Sequence, residues 1–158
     1  MKSSVWSTQI HIARDNALVE AFFVNTALLS KCLDIAVVFM NDTSCTNVFF
    51  LPVVSLLCRD ESDTVHTVAW GIVKNRTTAS FTRFLSFVSN DVTSIKTFVC
   101  DRHCAQRNAI RRVFGERVSV VHCAVHVARN IQTNTGAGSD LLRLFWAMRF
   151  RRTEDAER

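Results

Sequence analysis

Residues 98–110 read FVCDRHCAQRNAI, and the reading of this stretch decides the fold. A strand-like segment, IKTFVC over 95–100, ends in a short apolar run that stops at Asp101 and passes directly into a segment with helical spacing. Ala105, Ala109, Ile110 and Val113 share one face of that segment, and Gly115 can close it. An acid at the end of a buried strand is a costly place for a charge unless something there needs it. The question is whether a second acid holds an equivalent place. One does: IAVVFM, residues 35–40, is a run too short for a free-standing helix, suits a strand buried on both faces, and ends at Asn41-Asp42.

Working outward, NVFFLPVVSLL (47–57) and TVHTVAWGIV (64–73) read as two further strands, with the polar RDESDT between them as a hairpin turn. Pro52 predicts a bulge or bend, because a central strand cannot spare an N–H. Phe81, Phe84, Leu85 and Val88 predict an amphipathic helix stopping near Asn90. VSVVHC (118–123) reads as a fifth strand, AVHVARNI starts another helix, and QTNTGAGSD is a loop before a last helix capped by Ser139 or Asp140. Val19, Phe22, Phe23, Thr26 and Leu29 predict a covering helix over residues 16–31. The expectation is an α/β domain, a mixed sheet of about five strands with flanking helices. Its parts are an N-terminal covering region (1–32), a core (33–132) and a loop with the start of a further helical region (133–158).

Composition sets outer bounds. The chain has 158 residues, 48% of them hydrophobic, twelve Phe and a single Pro, which excludes a disordered tail and leaves length enough for a sizeable core. The net charge of +5 fits a nucleic-acid partner without requiring one. Six cysteines lack an even framework, and Cys32, Cys58 and Cys100 lie in or beside apolar runs, which reads as a reducing compartment. Arg14, Asp15 and Glu20 interrupt any signal-peptide core, and no run approaches the roughly 18 apolar residues of a membrane span.

If the strands ending at Asp42 and Asp101 are parallel neighbours, they lie about 4.8 Å apart and bring two carboxylates together. Paired carboxylates repel, and a divalent cation relieves the repulsion. Mg²⁺, or Mn²⁺ in its place, takes one or two carboxylates plus substrate phosphate oxygens, a combination suited to phosphodiester chemistry. The alternatives are structural: Asp101 as a helix cap and Asp42 in an Asx turn.

Three segments then resemble one family. MNDTSCTNVFFLPVVSLL (40–57) is similar to the first catalytic block of Mutator-like element (MULE) transposases, FVCDRHCAQRNAIRRVFG (98–115) to their second, and VHCAVHVARNI (121–131) to their Cys-x-x-His block. They occur in order across about residues 33–132. The resemblance implies a ribonuclease H-like fold, an Asp-Asp-Glu site for metal-dependent DNA cleavage and strand transfer, possible oligomers and a nuclear protein. It makes Asp42 and Asp101 the first two acids and Cys123 and His126 the paired residues near the site. The third acid, a Glu on a later helix, has no match beyond Glu154 and Glu157 among terminal charges, so the chain is expected to stop before that helix. Ser44 stands where the family has Tyr, and Arg76 where an acid is common.

Cys123 and His126, with His122, His103 and Cys104 nearby, raise zinc, but only one pair has finger-like spacing, and Cys123 as a buried hydrophobe is the stronger reading. Arg102, Arg107, Arg111 and Arg112, and Arg143, Arg149, Arg151 and Arg152, are candidates for phosphate contact or a solvated face. The sequence therefore predicts an inactive partial transposase domain that binds DNA weakly and with little sequence preference. The alternatives are a non-catalytic DNA- or protein-binding regulatory module, and a small nuclease completed by a C-terminal Glu.

Overall fold

The computed structural model describes residues 6–12, 18–31, 36–44, 46–48, 50–89, 94–134 and 139–150. It forms two compact units, residues 1–121 and 122–158.

The first unit is built on a mixed sheet. In chain order its strands are β1 (Trp6–Ile12), β2 (Leu18–Asn25), β3 (Val37–Thr43), β4 (Val53–Arg59), β5 (Val65–Ile72), β6 (Thr97–Cys100) and β7 (Ser119–His122), and in space they run β1-β2-β5-β4-β3-β6-β7. Pairing is antiparallel from β1 through β3. It switches to parallel between β3 and β6, where Val38 faces Phe98 and Met40 faces Cys100. The helices are α1 (Thr26–Lys31), α2 (Thr78–Ser89) and α3 (Cys104–Phe114).

Seven strands, rather than about five, follow from a misread N-terminus. Residues 18–25 form a strand, and among the described residues of the helix expected over 16–31 only Thr26–Lys31 is helical. Phe22 and Val24 are fully buried while Phe23, on the opposite face, stacks on Trp70 with ring centroids 4.1 Å apart. A strand with apolar residues on both faces loses its alternation, and its Phe and Val spacing then imitates a helix. The signal for β1 was present in WSTQIHI, where Trp6, Thr8, Ile10 and Ile12 alternate with Ser7, Gln9 and His11.

The strand expected over 47–57 begins only at Val53. Asn47 instead holds a turn: its side chain accepts from the Leu51 N–H and donates to the Leu51 carbonyl, and Phe50 takes a positive φ of 55°. Pro52 stands just before β4, where its missing N–H costs nothing and its carbonyl accepts from Val73. RDESDT does make the β4–β5 turn: the Asp60 carboxylate accepts from the Ser62 and Thr64 N–H groups and contacts His66 at 2.7 Å. These bonds, the Ser62 hydroxyl first, hold Asp60 far below the usual carboxylate range.

The core lies between one sheet face and α2 and α3. Phe22 meets Phe84 edge-on at 5.6 Å, Phe98 packs on Phe114 at 5.0 Å, and Phe81, Leu85, Val88 and Ile110 are fully buried. Each such side chain contributes about 1.5–3 kcal/mol of burial free energy. Gly71 is required by closeness: a Cβ there would stand 2.9 Å from the Phe22 ring and 3.1 Å from the Ala21 carbonyl oxygen. The helix stop expected near Asn90 lies outside the described residues.

In the second unit α4 (Ala124–Asn134) continues through residues expected to be loop, and α5 (Ser139–Phe150) follows. Among the described residues no helix is long and apolar enough to cross a membrane.

Candidate functional site

Asp42 is the sixth residue of β3 and pairs in register with Val54 of β4, so it is strand rather than an Asx turn. Asp101 follows the last residue of β6. Continuing the parallel register by one residue puts Asp101 level with Asn41, so the two acids end neighbouring parallel strands, offset by one residue. Asp101 does not cap α3 either. The N-cap is His103, whose side chain makes no capping bond, and Asp101 Oδ1 accepts instead from the Arg102 N–H at 2.6 Å.

The alternation of β3 puts Asp42 on the buried face with Val38 and Met40, and its side chain is only 1% exposed. A carboxylate so placed must be compensated. Two groups do this. Arg76, in the turn between β5 and α2, brings Nε to 2.5 Å from Oδ2 and donates from Nη2 to Oδ1 at 3.2 Å. The fully buried Gln106, in the first turn of α3, donates its amide N–H to Oδ1. Oδ2 is nevertheless without a hydrogen bond of good angle, so its contact with Nε is one of charge at close range, and the carbonyl end of Gln106 is buried without a partner.

The Arg76 turn is itself held. Thr77 caps α2 by accepting from the Ser80 N–H at 3.3 Å, and its hydroxyl donates to Asn75 at 2.8 Å. The Ser80 hydroxyl donates to the same Asn75 oxygen at 2.9 Å and accepts from Arg83 at 3.1 Å. Arg83 in turn grips Glu20 of β2 through Nε and Nη2, each at 2.6 Å. Burial pushes the Glu20 carboxyl up. The hydrogen bonds from Arg83 and Ser80 and the charge of Arg83 outweigh it and hold the group below its ordinary value. Sequence reasoning missed Glu20, Gln106 and the partner of Arg76. Only Gln106 had left a trace, since its spacing to Ala109 and Ile110 puts it on the apolar face of α3.

A family-model match covers residues 37–130 as a MULE transposase domain, more than half of the chain and both acid-ended strands. The chain belongs to the MULE transposase family. A comparison with curated protein sequences gives no match.

In the second unit Cys123 is a half-buried free thiol before α4, and its carbonyl accepts from the Val127 N–H. His126 is half-buried with Nδ1 lacking a hydrogen-bond partner. Arg102, Arg107 and Arg112 are exposed, whereas Arg111 is structural: it donates to the Val118 carbonyl at 2.7 Å and pairs with Glu116 at 2.9 Å. Glu154, Glu157, Arg151 and Arg152 lie outside the described residues.

Among the described residues no three of His, Cys, Asp and Glu are grouped so as to hold a metal ion. The Asp42 pocket does not suit a divalent cation in this conformation. A permanently charged guanidinium already faces both carboxylate oxygens, and the Gln106 amide turns its N–H, not its oxygen, toward them. A metal at Asp42 needs Arg76 displaced.

Proposed function

We propose that this MULE domain is a non-catalytic member of its family. It keeps a scaffold that ancestrally carried Mg²⁺- or Mn²⁺-dependent DNA cleavage and strand transfer, and it binds DNA weakly through charge. One observation carries the reading: the first expected catalytic acid, Asp42, is neutralised by Arg76, a residue that stands where an acid is common in the resemblance. The strand order β5-β4-β3-β6-β7, three antiparallel strands followed by a parallel neighbour, supports a ribonuclease H-like core. In such sites bound metal steadies the attacking and leaving oxygens of phosphodiester transfer. Without it, transition-state stabilisation on the order of several kcal/mol is lost. The net charge of +5, with Arg102, Arg107 and Arg112 exposed, supports non-specific contact with phosphates, and DNA as the partner supports a nuclear place of work. Oligomers, implied by the resemblance, stand as part of the same proposal.

The test is supercoiled plasmid incubated with the chain and Mg²⁺ or Mn²⁺, beside an Asp101→Asn control. The expected result is no nicking above the control, with DNA retention that falls steeply as salt rises. Robust cleavage that Asp101→Asn abolishes contradicts the proposal and points to a third ligand, with Glu154 and Glu157 the first to substitute.

A further inference from the structure

We infer that Arg76 is a built-in counter-cation that occupies the place of a divalent metal at Asp42 and keeps the folded chain from binding one there. The inference rests on the non-catalytic reading and names the residue responsible for it.

Asp42 is closed to water, with 1% of its side chain exposed. Mg²⁺ gives up its waters reluctantly and holds its ligands at about 2.1 Å in near-octahedral geometry. Such an ion would have to share Oδ2 with a guanidinium nitrogen already 2.5 Å away, and the two cations repel. Arg76 is also not a side chain that drifts in from solvent. Its turn is fixed by Asn75, Thr77 and Ser80, and through Ser80 by the Arg83–Glu20 pair, so folding delivers the guanidinium to the end of β3.

The arrangement also leaves two buried oxygens unsatisfied. Asp42 Oδ2 and the Gln106 side-chain oxygen are both hard donors, both buried, and both without a hydrogen bond. Oxygens of this kind are what a hard divalent cation takes as ligands. Arg76 is 40% exposed, so shortening it opens a path from solvent to Oδ2. With the positive charge gone, Asp42 has no cation, and an ion entering by that path supplies one.

Mn²⁺ binding followed by the loss of its free-ion electron paramagnetic resonance signal tests this without any reference to activity. Four proteins are compared: the full chain, Arg76→Ala, Arg76→Gln and Arg76→Ala with Asp42→Asn, each checked for fold by circular dichroism. The expected result is that the unmodified chain leaves the free Mn²⁺ signal unchanged. Arg76→Ala should take up about one ion per chain, at least tenfold more tightly than the unmodified chain. Adding Asp42→Asn should remove that uptake. Arg76→Gln, which keeps much of the side-chain length and a neutral hydrogen bond, decides the matter if Arg76→Ala does not fold. Uptake by the unmodified chain that Asp42→Asn abolishes overturns the inference, as does a folded Arg76 variant that takes up none. A chain that binds Mn²⁺ through Asp42 and cleaves no plasmid overturns this inference alone. A chain that binds none and still cleaves contradicts the proposed function alone.

Discussion

Arg76→Ala lowers the stability of the first unit by about 3 kcal/mol in buffer free of divalent ions. Removing one partner of a buried pair typically costs about 3–5 kcal/mol, because the charge left behind is neither solvated nor compensated. The low end applies because Arg76 is 40% exposed while Asp42 is 1% exposed. The retained Gln106 bond offsets only part of the loss. Urea unfolding monitored by tryptophan fluorescence, to which Trp6 and Trp70 of the first unit contribute alongside Trp146, reads the change as a shift of midpoint at constant slope. Asp42→Asn in the same background should recover most of the loss, since the neutral amide can still accept from Gln106. A cycle over the two positions should then give a coupling of about 2 kcal/mol. An Arg76→Ala midpoint indistinguishable from that of the parent means the pair carries no weight, and the account of a held guanidinium falls.

The second large effect is at Glu20 and depends on pH. Its side chain is 2% exposed and gripped at two points by Arg83, which is itself 48% exposed. Glu20→Gln should cost about 2 kcal/mol at pH 7, less than a fully buried pair because Arg83 can turn to water. The folded carboxyl titrates below its ordinary value of 4.5, so the unfolded chain binds the proton first as pH falls. The contribution is therefore fully present above about 4.5 and is lost as pH drops through the folded value. Midpoints at pH 7 and pH 3 should show the difference between parent and Glu20→Gln shrinking at the acid end. A difference that is unchanged or wider at pH 3 has the wrong sign for this pair.

The two acids were legible because the sequence around them obeys one rule at a time. IAVVFM is apolar throughout and reaches Asp42 one residue later, the FVC end of IKTFVC runs straight into Asp101, and the two strands pair in parallel with Met40 opposite Cys100. The α2 stripe was legible for a similar reason, since Phe81, Phe84, Leu85 and Val88 are spaced for a helix and all four are buried. Glu20 to Asn25 obeyed two rules at once, strand geometry and helical spacing, and the wrong one was read. Arg76 was visible as a departure from the family pattern. Its contact with Asp42 spans 34 residues and depends on the β5–β4–β3 order, which no local pattern encodes. Gln106 is the same case on α3, a polar residue on a buried face whose purpose appears only when β3 is beside it.

The most direct measurement of the central claim is the anomalous scattering of Mn²⁺ in crystals of the unmodified chain soaked at millimolar concentration. The account predicts the Arg76 guanidinium and the Gln106 amide on the Asp42 carboxylate, with no anomalous peak beside it. A peak at ligand-bond distance, about 2.1–2.3 Å from an Asp42 oxygen, with Arg76 turned away, would contradict it.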